Sequence, residues 1–371
     1  MKIVDVNPYF FPLRGGIEHR MHDVSKRFAA AGDEVTVVTG QYDPALPTEE
    51  KSDGYRIIRL KSRTIRVYNP PYISSSGVKE TLESLDPDLV NFNYRWAPSY
   101  TRALRHYDGK KVFTYHNMWG EGTGWQHTFS EINDNIFRKT LDTFDHVIAV
   151  SEFVRNDLLR RGYAPGFVTA IPSCLGGPVV PGDGSGNFML SLGRLVRTKG
   201  LDVLMEAMKD VPHRLIVCGK GPDAGRLQKA IERNGLQDRV EMRGYVSEEE
   251  KSRLMGQCRF FVMPSLHESL GLAAVELMAR GRPVVCSDAD GLPETVGKGG
   301  VIVPKDDPQA LAQALNALFE DRSRCESLAA AAVARAQFYD WNLHMPEIRC
   351  VYAKVVANEY TAADAHPVES V

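Results

Sequence analysis

The amino-acid sequence predicts an α/β protein made of two Rossmann-like, doubly wound domains that face one another across a cleft. Short apolar runs alternate with helical patterns along the chain, which is typical of parallel sheets covered by helices. The chain has 371 residues, more than one ordinary hydrophobic core holds. A stretch rich in glycine and proline lies near the middle and separates two halves of similar pattern.

The first domain is predicted over residues 1–175. Its apolar runs are short and rich in valine, isoleucine and aromatic residues, which favours buried strands. The predicted strands are Ile3–Val6, Glu34–Thr39, Arg56–Leu60, Leu89–Phe92, Val112–Tyr115, Val147–Val150 and Val168–Ile171. The predicted helices are Ile17–Ala31, Gly77–Leu85, Ser130–Thr143 and Glu152–Arg161.

The second domain is predicted over residues 188–340, after a linker at 176–187 whose glycines and prolines disfavour regular structure. An amphipathic helix is predicted over 341–358, and the small, polar tail 359–371 is expected to be disordered. Ligands in such folds bind beyond the carboxyl ends of the strands. The predicted strands are Phe188–Leu192, Arg214–Cys218, Val240–Met242, Phe260–Met263, Pro283–Ser287 and Val301–Val303.

Composition narrows the class of protein. With 43% apolar and 25% charged residues, the chain is typical of a soluble globular protein. Its formal charge of −2 gives no overall attraction to nucleic acid, and we expect no nucleic-acid partner. The 6 cysteines lack paired spacing, which favours free thiols in a reducing compartment. Because a signal-peptide pattern is also missing, we expect a cytoplasmic protein.

The most informative stretch is 264–285, which predicts the end of a buried strand, a tight loop and a short apolar helix. Unpaired amides at a helix start bind anions, and carboxylates accept hydrogen bonds from sugar hydroxyls. The alternative is a solvated loop glutamate and a surface glutamate, but Glu276 lies among apolar residues and needs a partner. The stretch therefore predicts a sugar-nucleotide site formed by Glu268, Ser269, Leu270, Gly271, Leu272 and Glu276.

This stretch resembles the large family 4 of retaining glycosyltransferases, whose hallmark is two glutamates separated by seven residues, here Glu268 and Glu276. The resemblance extends from Met1 to about residue 345 and is weaker in the first half. It implies the GT-B fold, in which the C-terminal helix crosses back to the first domain. It also implies that Glu276 accepts hydrogen bonds from the ribose hydroxyls and Glu268 from hydroxyls of the donor sugar.

Two cations follow the first strand of the second half. Gly193, Arg194 and Lys199 lie in a loop at its carboxyl end, where two positive charges can neutralise a diphosphate without a metal. The family pattern Gly-Arg…Lys-Gly matches here and implies that Arg194 and Lys199 hold the donor diphosphate. A solvated basic turn is the alternative.

Two positions in the first half of the chain also match the family pattern. Gly15 and Gly16 open a helix after the first strand, where small residues let a ligand approach the backbone. The resemblance implies that this loop lies beside the diphosphate and the acceptor. His116 ends a strand, and the resemblance implies a contact with the donor sugar near the reacting carbon. A plain turn and a structural histidine are the alternatives.

Two further turns of the second half resemble the nucleobase pocket of the family. Gly219 follows one strand, and Gly244, Tyr245 and Val246 follow another. Asp288 and Asp290 have the spacing of a metal-binding pair but match a different part of the family pattern. We therefore expect no metal and no cofactor other than the donor substrate. The chain also lacks a dinucleotide-binding fingerprint and a Walker-type phosphate loop.

Residues 55–73 contain basic residues interleaved with aromatic and aliphatic ones and carry no acidic residue. Such a segment suits the surface of an anionic membrane, and many members of the family use lipid-linked acceptors. The alternative is a strand followed by a solvated loop. We expect the enzyme to be cytoplasmic, with peripheral contact at the inner face of the membrane as an open question.

Together these features predict a metal-independent hexosyltransferase, and the resemblance to family 4 implies that it is a retaining enzyme. It would move a sugar from a nucleoside-diphosphate sugar to an acceptor hydroxyl on a lipid-linked sugar, a cell-envelope glycan or a small molecule. A non-hydrolysing sugar-nucleotide epimerase of the same architecture and a two-domain sugar-binding protein remain alternatives.

Overall fold

The computed structural model describes residues 1–13, 15–65 and 72–366, and it divides the chain into two compact units. Unit 1 comprises Met1–Pro172 and Asn342–Val371, and unit 2 comprises Ser173–Trp341. Each unit is an α/β body built on its own sheet.

Unit 1 contains a main sheet, whose central strands are buried, and a separate pair of strands. The strands are β1 (Lys2–Val6), β2 (Glu34–Gly40), β3 (Glu49–Ser52), β4 (Tyr55–Leu60), β5 (Ser62–Ile65), β6 (Tyr72–Ser75), β7 (Leu89–Phe92), β8 (Lys111–Tyr115), β9 (His146–Ala149) and β10 (Val168–Ala170). The helices are α1 (Gly16–Ala30), α2 (Val78–Leu85), α3 (Pro98–Arg105), α4 (Trp125–Leu141) and α5 (Glu152–Arg160).

The main sheet of unit 1 has the strand order β10-β9-β8-β7-β1-β2-β4-β3. Its neighbours pair in parallel, apart from β3, which runs antiparallel to β4 at the edge. The chain thus begins in the middle of the sheet, fills one side, and then returns to fill the other, which is a doubly wound arrangement. β5 and β6 form a separate antiparallel pair.

Unit 2 repeats this architecture with parallel strands in the order β13-β12-β11-β14-β15-β16. The strands are β11 (Met189–Leu192), β12 (Leu215–Cys218), β13 (Val240–Gly244), β14 (Phe260–Met263), β15 (Val284–Ser287) and β16 (Gly300–Val303). The helices are α6 (Leu201–Ala207), α7 (Ala224–Arg233), α8 (Glu248–Gln257), α9 (Leu272–Ala279), α10 (Leu292–Val296), α11 (Pro308–Glu320) and α12 (Arg322–Ala336).

The last helix, α13 (Trp341–Val356), packs mainly within unit 1. The ring of Tyr352 stacks on that of Phe28 with centroids 5.4 Å apart, and Arg349 forms an ion pair with Asp33 at 2.5 Å. Tyr352 is almost completely buried. Burial of the face of α13 that carries Tyr352 explains why this C-terminal helix belongs to the same unit as the N-terminal residues.

The expectation of an interdomain linker at 176–187 is wrong in its bounds, although the segment contains no helix or strand, as expected. The N–H groups of Gly182, Gly184 and Gly186 donate to carbonyl groups of unit 2 at 2.8, 3.0 and 2.8 Å. The segment is therefore fixed to unit 2, and the division between the units falls at Ser173 rather than at residue 176. Glycine and proline here allow close backbone packing instead of a flexible connection.

The expectation of a disordered tail is also wrong for residues 359–366. Tyr360 stacks on His146 with ring centroids 4.2 Å apart, and the N–H of Ala164 donates to the carbonyl of Ala365 at 2.9 Å. Aromatic stacking and a backbone hydrogen bond hold this polar stretch on unit 1. The rest of the predicted tail, 367–371, lies outside the described residues.

Candidate functional site

The strand order of unit 2 reverses between β11 and β14, which lie side by side although they are distant in the chain. In doubly wound sheets, ligands bind beyond the carboxyl ends of the strands at such a reversal. The loop after β11 carries Gly193, Arg194 and Lys199, and the loop after β14 carries Glu268. The topology therefore brings these predicted site residues to one position in unit 2.

Backbone hydrogen bonds join the turns that follow β11, β12 and β13. The N–H of Gly219 donates to the carbonyl of Gly244 at 2.7 Å, and the N–H of Gly193 donates to that of Cys218 at 3.1 Å. Gly219 has a φ of +146°, and a Cβ atom on it would lie 1.8 Å from the carbonyl oxygen of Gly193. Only glycine fits at this position. The two hydrogen bonds place the predicted turn glycines in a row along the carboxyl edge of the sheet.

The loops after β11 and β14 are also held together. The N–H groups of Leu266 and His267 donate to the carbonyl of Thr198 at 2.8 and 3.2 Å. Lys199 forms a hydrogen-bonded ion pair with Glu268, and both side chains are mostly buried. We predicted separate contacts for these two residues, with the diphosphate and with the sugar. The structure instead makes each the partner of the other.

Arg194 differs from Lys199 in being exposed. Its side chain makes no hydrogen bond or ion pair with any residue that the structure describes. A guanidinium can form two parallel hydrogen bonds with a phosphate. Arg194 is therefore a cation that an anion can approach without displacing a protein partner. The pocket at this position is lined by residues that include Ser191, Gly193, Arg194, Lys199, Met263 and Ser265.

Ser265 is a residue that the sequence analysis missed. It is fully buried and lines the same pocket, and its Oγ has no hydrogen-bond partner in the described part of the chain. A buried polar group without a partner costs about 1–3 kcal/mol, which makes Ser265 a candidate ligand contact. Nothing in the sequence separates such a serine from an ordinary buried one.

Helix α9 begins directly after the Glu268 loop. Gly271 precedes it with a φ of +87°, and the carbonyl of Gly271 accepts a hydrogen bond from the N–H of Ala274 at 2.8 Å. Among the described residues, no side chain caps this helix start. The hydroxyl of Thr295 donates to the carbonyl of Leu270, which fixes the loop that contains Ser269 and leads to Leu272, the first residue of α9.

Glu276 lies on α9 and has a protein partner, Lys251 of α8, at 2.8 Å. The two side chains are 31% and 30% exposed, so the pair lies at the surface of unit 2 and a ligand can compete for either group. The sequence analysis noted that Glu276 needs a partner but did not find Lys251, because no spacing rule connects the two helices.

The turn after β13 presents an exposed ring. Tyr245 is 64% exposed, and the ammonium group of Lys220 lies 5.3 Å from the centre of its ring. Val246 beside it is half-buried. An exposed aromatic face next to the Gly219 and Gly244 turns is a suitable surface for stacking a nucleobase.

The Asp288 and Asp290 pair has structural partners. Asp290 accepts a hydrogen bond from the N–H of Glu268 at 3.0 Å and faces Nδ1 of His267 at 3.2 Å. Asp288 accepts a hydrogen bond from the N–H of Lys305 at 2.8 Å. Across residues 1–13, 15–65 and 72–366, no group of three or more His, Cys, Asp or Glu side chains is placed to hold a metal ion. Asp290 thus shapes the Glu268 loop.

In unit 1, Gly15 and Gly16 form the start of α1. Gly15 has an extended backbone, and its carbonyl accepts from the N–H of His19 at 3.0 Å. A Cβ atom on Gly15 would lie 2.4 Å from a carboxylate oxygen of Glu18, whereas the space around Gly16 is open. The neighbouring residue 14 lies outside the described residues.

His116 follows β8 and belongs to a polar network inside unit 1. Asn93 donates from Nδ2 to Asp5 at 2.6 Å, so its Oδ1 faces Nε2 of His116 at 3.0 Å. Asn91 also donates to Asp5, at 2.9 Å. Because an amide oxygen only accepts, His116 must donate from Nε2, and the network thereby fixes the tautomer of the imidazole.

Burial shifts the pKa values in this network. Desolvation lowers the pKa of His116 well below its usual value, and the nearby cations Arg20 and Arg95 lower it further. The imidazole is therefore neutral at neutral pH. Desolvation raises the pKa of Asp5 to about 7, against the opposing effect of the hydrogen bonds from Asn93 and Asn91.

The basic segment 55–73 is partly a buried strand. Arg59 is buried and pairs with Glu50 at 2.5 Å, and Arg56 pairs with Glu49 at 2.7 Å. Strand β4 is therefore committed to the sheet, and residues 66–71 lie outside the described residues. Membrane contact through the remainder of this segment stays a prediction.

Two family models match the chain. The Glycosyltransferase Family 4 model matches residues 14–175, and the Glycosyl transferases group 1 model matches residues 180–335. The chain is 30% identical to the GDP-mannose:cellobiosyl-diphosphopolyprenol alpha-mannosyltransferase of Xanthomonas campestris, over 92% of this chain and 93% of that enzyme. It is 27% identical to the phosphatidyl-myo-inositol mannosyltransferase of Mycobacterium leprae, over 96% of this chain and 98% of that enzyme.

The same fold occurs in a solved structure, the sucrose-phosphate synthase from Thermosynechococcus elongatus. Its TM-score is 0.82 at 24% identity, over 96% of this chain and 99% of that one. The two Rossmann-like units are thus those of the GT-B fold, and the fold prediction is confirmed. The chain belongs to glycosyltransferase family 4, as its Glu268 and Glu276 motif indicated, and it is a glycosyltransferase.

Proposed function

We propose that this glycosyltransferase is a retaining enzyme that takes its sugar from a nucleoside diphosphate and needs no metal ion. The observation that carries the proposal is the position of Arg194 and Lys199 at the strand-order reversal of unit 2, next to Glu268 and the uncapped start of α9. Cations and helix-start amides at one point suit a diphosphate.

In this proposal the diphosphate contacts Arg194 directly and competes with Glu268 for Lys199. The exchange releases the Glu268 carboxylate to accept hydrogen bonds from hydroxyls of the donor sugar. In the same way, ribose hydroxyls compete with Lys251 for Glu276, and the base stacks near Tyr245. The ion pairs thus hold both carboxylates in place until a ligand competes for them.

The reaction breaks the bond between the anomeric carbon and the β-phosphate oxygen. The acceptor oxygen bonds to the same face of that carbon, and its proton passes to the departing phosphate. Arg194, Lys199 and the amides at Leu270–Leu272 stabilise the charge that develops on the leaving group, where the loss of one such donor typically costs about 2.7–4 kcal/mol. We propose that His116 and the Gly15–Gly16 loop contribute from unit 1.

The acceptor that we propose is a hydroxyl of a lipid-linked or cell-envelope glycan. Two relatives support this class, since their names specify a diphosphopolyprenol-linked sugar and a phosphatidyl-myo-inositol as acceptors. Among the described residues, no helix has the length and apolarity to cross a bilayer. A location in the cytoplasm stays a prediction.

The test is incubation with labelled UDP-glucose, UDP-N-acetylglucosamine and GDP-mannose in the presence of EDTA, with and without polyprenyl-diphosphate-linked sugars and phosphatidylinositol. We expect release of nucleoside diphosphate and a lipid product whose anomeric configuration matches that of the donor. Interconversion of nucleotide sugars without an acceptor would indicate the epimerase. Binding without turnover would indicate a sugar-binding protein, and an inverted product or abolition of activity by EDTA would refute the mechanism.

A further inference from the structure

Helix α4 presents an unusual surface in unit 1. Phe129, Ile132 and Ile136 are 67%, 56% and 66% exposed, and they recur at positions i, i+3 and i+7. This spacing places them on one face of the helix as a continuous strip. We call these three side chains the α4 apolar strip. Single exposed apolar residues are ordinary, whereas an ordered strip marks a surface that contacts something.

The orientation of α4 is fixed by contacts on its other side. Asp134 is completely buried and forms a hydrogen-bonded ion pair with Arg95 at 2.5 Å, and it accepts a hydrogen bond from the N–H of Gly120 at 2.7 Å. Phe137 packs on Phe113 of β8 with ring centroids 5.0 Å apart. Rotating α4 to hide the strip would leave a buried charge without its partner, so the strip is held outward.

Cations lie beside the strip. Lys139 is exposed one helical turn beyond Ile136, and Arg102 and Arg105 are exposed on α3, the helix that packs against α4. None of these cations makes a hydrogen bond or ion pair with a residue in the described ranges. The acidic residue on the outer part of α4, Glu131, faces His127 at 3.6 Å.

The ends of α3 and α4 meet at one residue. The ammonium group of Lys111 donates to the carbonyl groups of Leu104 and Tyr107, at the end of α3, at 2.9 and 2.6 Å. The same group lies 5.8 Å from the ring of Phe144, which follows α4. The cations of α3 are therefore next to the last turns of α4, where Lys139 and Ile136 lie.

We propose that the α4 apolar strip and its flanking cations form a docking surface for an anionic lipid bilayer. A helix that lies in a membrane interface needs apolar side chains on one face and cations that reach lipid phosphates, and this surface supplies both. The inference goes beyond the proposed function, although it rests on it for one point: a lipid-linked acceptor is presented at such a surface. It also differs from the segment 55–73, whose strand β4 is buried in the sheet.

The test is co-sedimentation of the full chain with phosphatidylcholine vesicles that do or do not contain phosphatidylglycerol, in low salt and without donor or acceptor. The wild-type protein is expected to bind the anionic vesicles. The triple variant Phe129→Ser, Ile132→Ser and Ile136→Ser is expected to lose about tenfold or more in partitioning. Each of the variants Arg102→Gln, Arg105→Gln and Lys139→Gln is expected to show about fivefold weaker partitioning onto anionic vesicles and no change on vesicles of phosphatidylcholine.

Leu343→Ser is the matched control. Leu343 of α13 is 56% exposed, the same fraction as Ile132, but it lies outside the strip. Its partitioning should equal that of the wild type, and circular dichroism should confirm that all variants are folded.

The proposal is overturned if the wild-type protein does not sediment with anionic vesicles or if the triple variant sediments equally well. It is also overturned if sedimentation velocity shows a dimer that the triple variant loses, since a second copy would then cover the strip. Because these measurements use no substrate, their failure would leave the proposed transfer reaction untouched.

Discussion

The variant Arg194→Ala should lower the affinity for the diphosphate without changing the stability of the fold. The Arg194 side chain is exposed and has no hydrogen-bond or ion-pair partner among the described residues, so its truncation should change the free energy of unfolding by less than about 0.5 kcal/mol. If the side chain binds the β-phosphate, the variant loses a hydrogen bond between charged groups, which is worth about 1.5–3 kcal/mol. That loss corresponds to a decrease in affinity of about 10-fold to 150-fold.

The assay is isothermal titration with UDP and GDP, each compared with its monophosphate. Arg194→Ala should weaken binding of the diphosphate and leave the monophosphate nearly unchanged, because the missing contact is to the terminal phosphate. Arg197→Ala is the matched control, since Arg197 is an exposed arginine in the same loop. Thermal unfolding of both variants should superimpose on that of the wild type.

Lys199 should behave differently. Lys199→Ala removes the ion pair with Glu268 as well as a phosphate contact, so a double-mutant cycle with Glu268→Gln should show coupling in the protein before any nucleotide is added. Equal affinities of Arg194→Ala and Arg197→Ala for the diphosphate would refute the assignment of this loop.

Other parts of the site give separate predictions. Glu276→Gln should weaken nucleotide binding by about tenfold. Lys251→Gln should strengthen it by up to about fivefold, because a surface ion pair worth about 1 kcal/mol no longer competes with the ribose. Titration calorimetry distinguishes the two variants, and equal effects on nucleotide affinity would contradict the account. Gly219→Ala should lower the free energy of unfolding by more than about 2 kcal/mol, because its Cβ would lie 1.8 Å from the carbonyl oxygen of Gly193; a denaturant melt at wild-type stability would contradict this. Desolvation raises the pKa of Asp5 from 3.8 to about 7, so Asp5 favours the folded state at low pH, and this stability is lost as the pH rises through about 7. Between about pH 5 and about pH 8 the loss is about 2–3 kcal/mol, and urea melts of Asp5→Asn should lack it; identical pH profiles would show that Asp5 does not titrate as stated.

The sequence predicted the sheets and the family better than it predicted the contacts of single side chains. Runs such as Phe260–Met263 are apolar throughout because strands of a parallel sheet are buried on both faces. Arg194 and Glu268 could be placed at strand ends because loops after parallel strands share one edge. Chain order carries enough information for that step.

The partners within the site could not be predicted. Lys251 and Glu276 lie on different helices, and Lys199 and Glu268 lie in different loops, so each pair depends on the tertiary packing. The network around His116 depends in the same way on neighbouring strands, through Asn93. The sequence of one chain carries no spacing rule for such pairs.

Some helix boundaries were missed for local reasons. Ser130 resembles a helix start, yet α4 begins at Trp125 and Ser130 is buried inside it. Helix α3 was not predicted, although Pro98 at its first position is a recognised start signal. The predicted helix contained Ile132 and Ile136 but omitted Phe129, so the complete α4 apolar strip became visible only in the structure.

A crystal structure with bound nucleoside diphosphate, grown in EDTA, tests the central claim most directly. The account predicts that the β-phosphate contacts Arg194 and Lys199 and lies at the start of α9, with the Lys199–Glu268 ion pair broken. A diphosphate bound elsewhere, or one bound in unit 2 while Lys199 remains paired with Glu268, would contradict it.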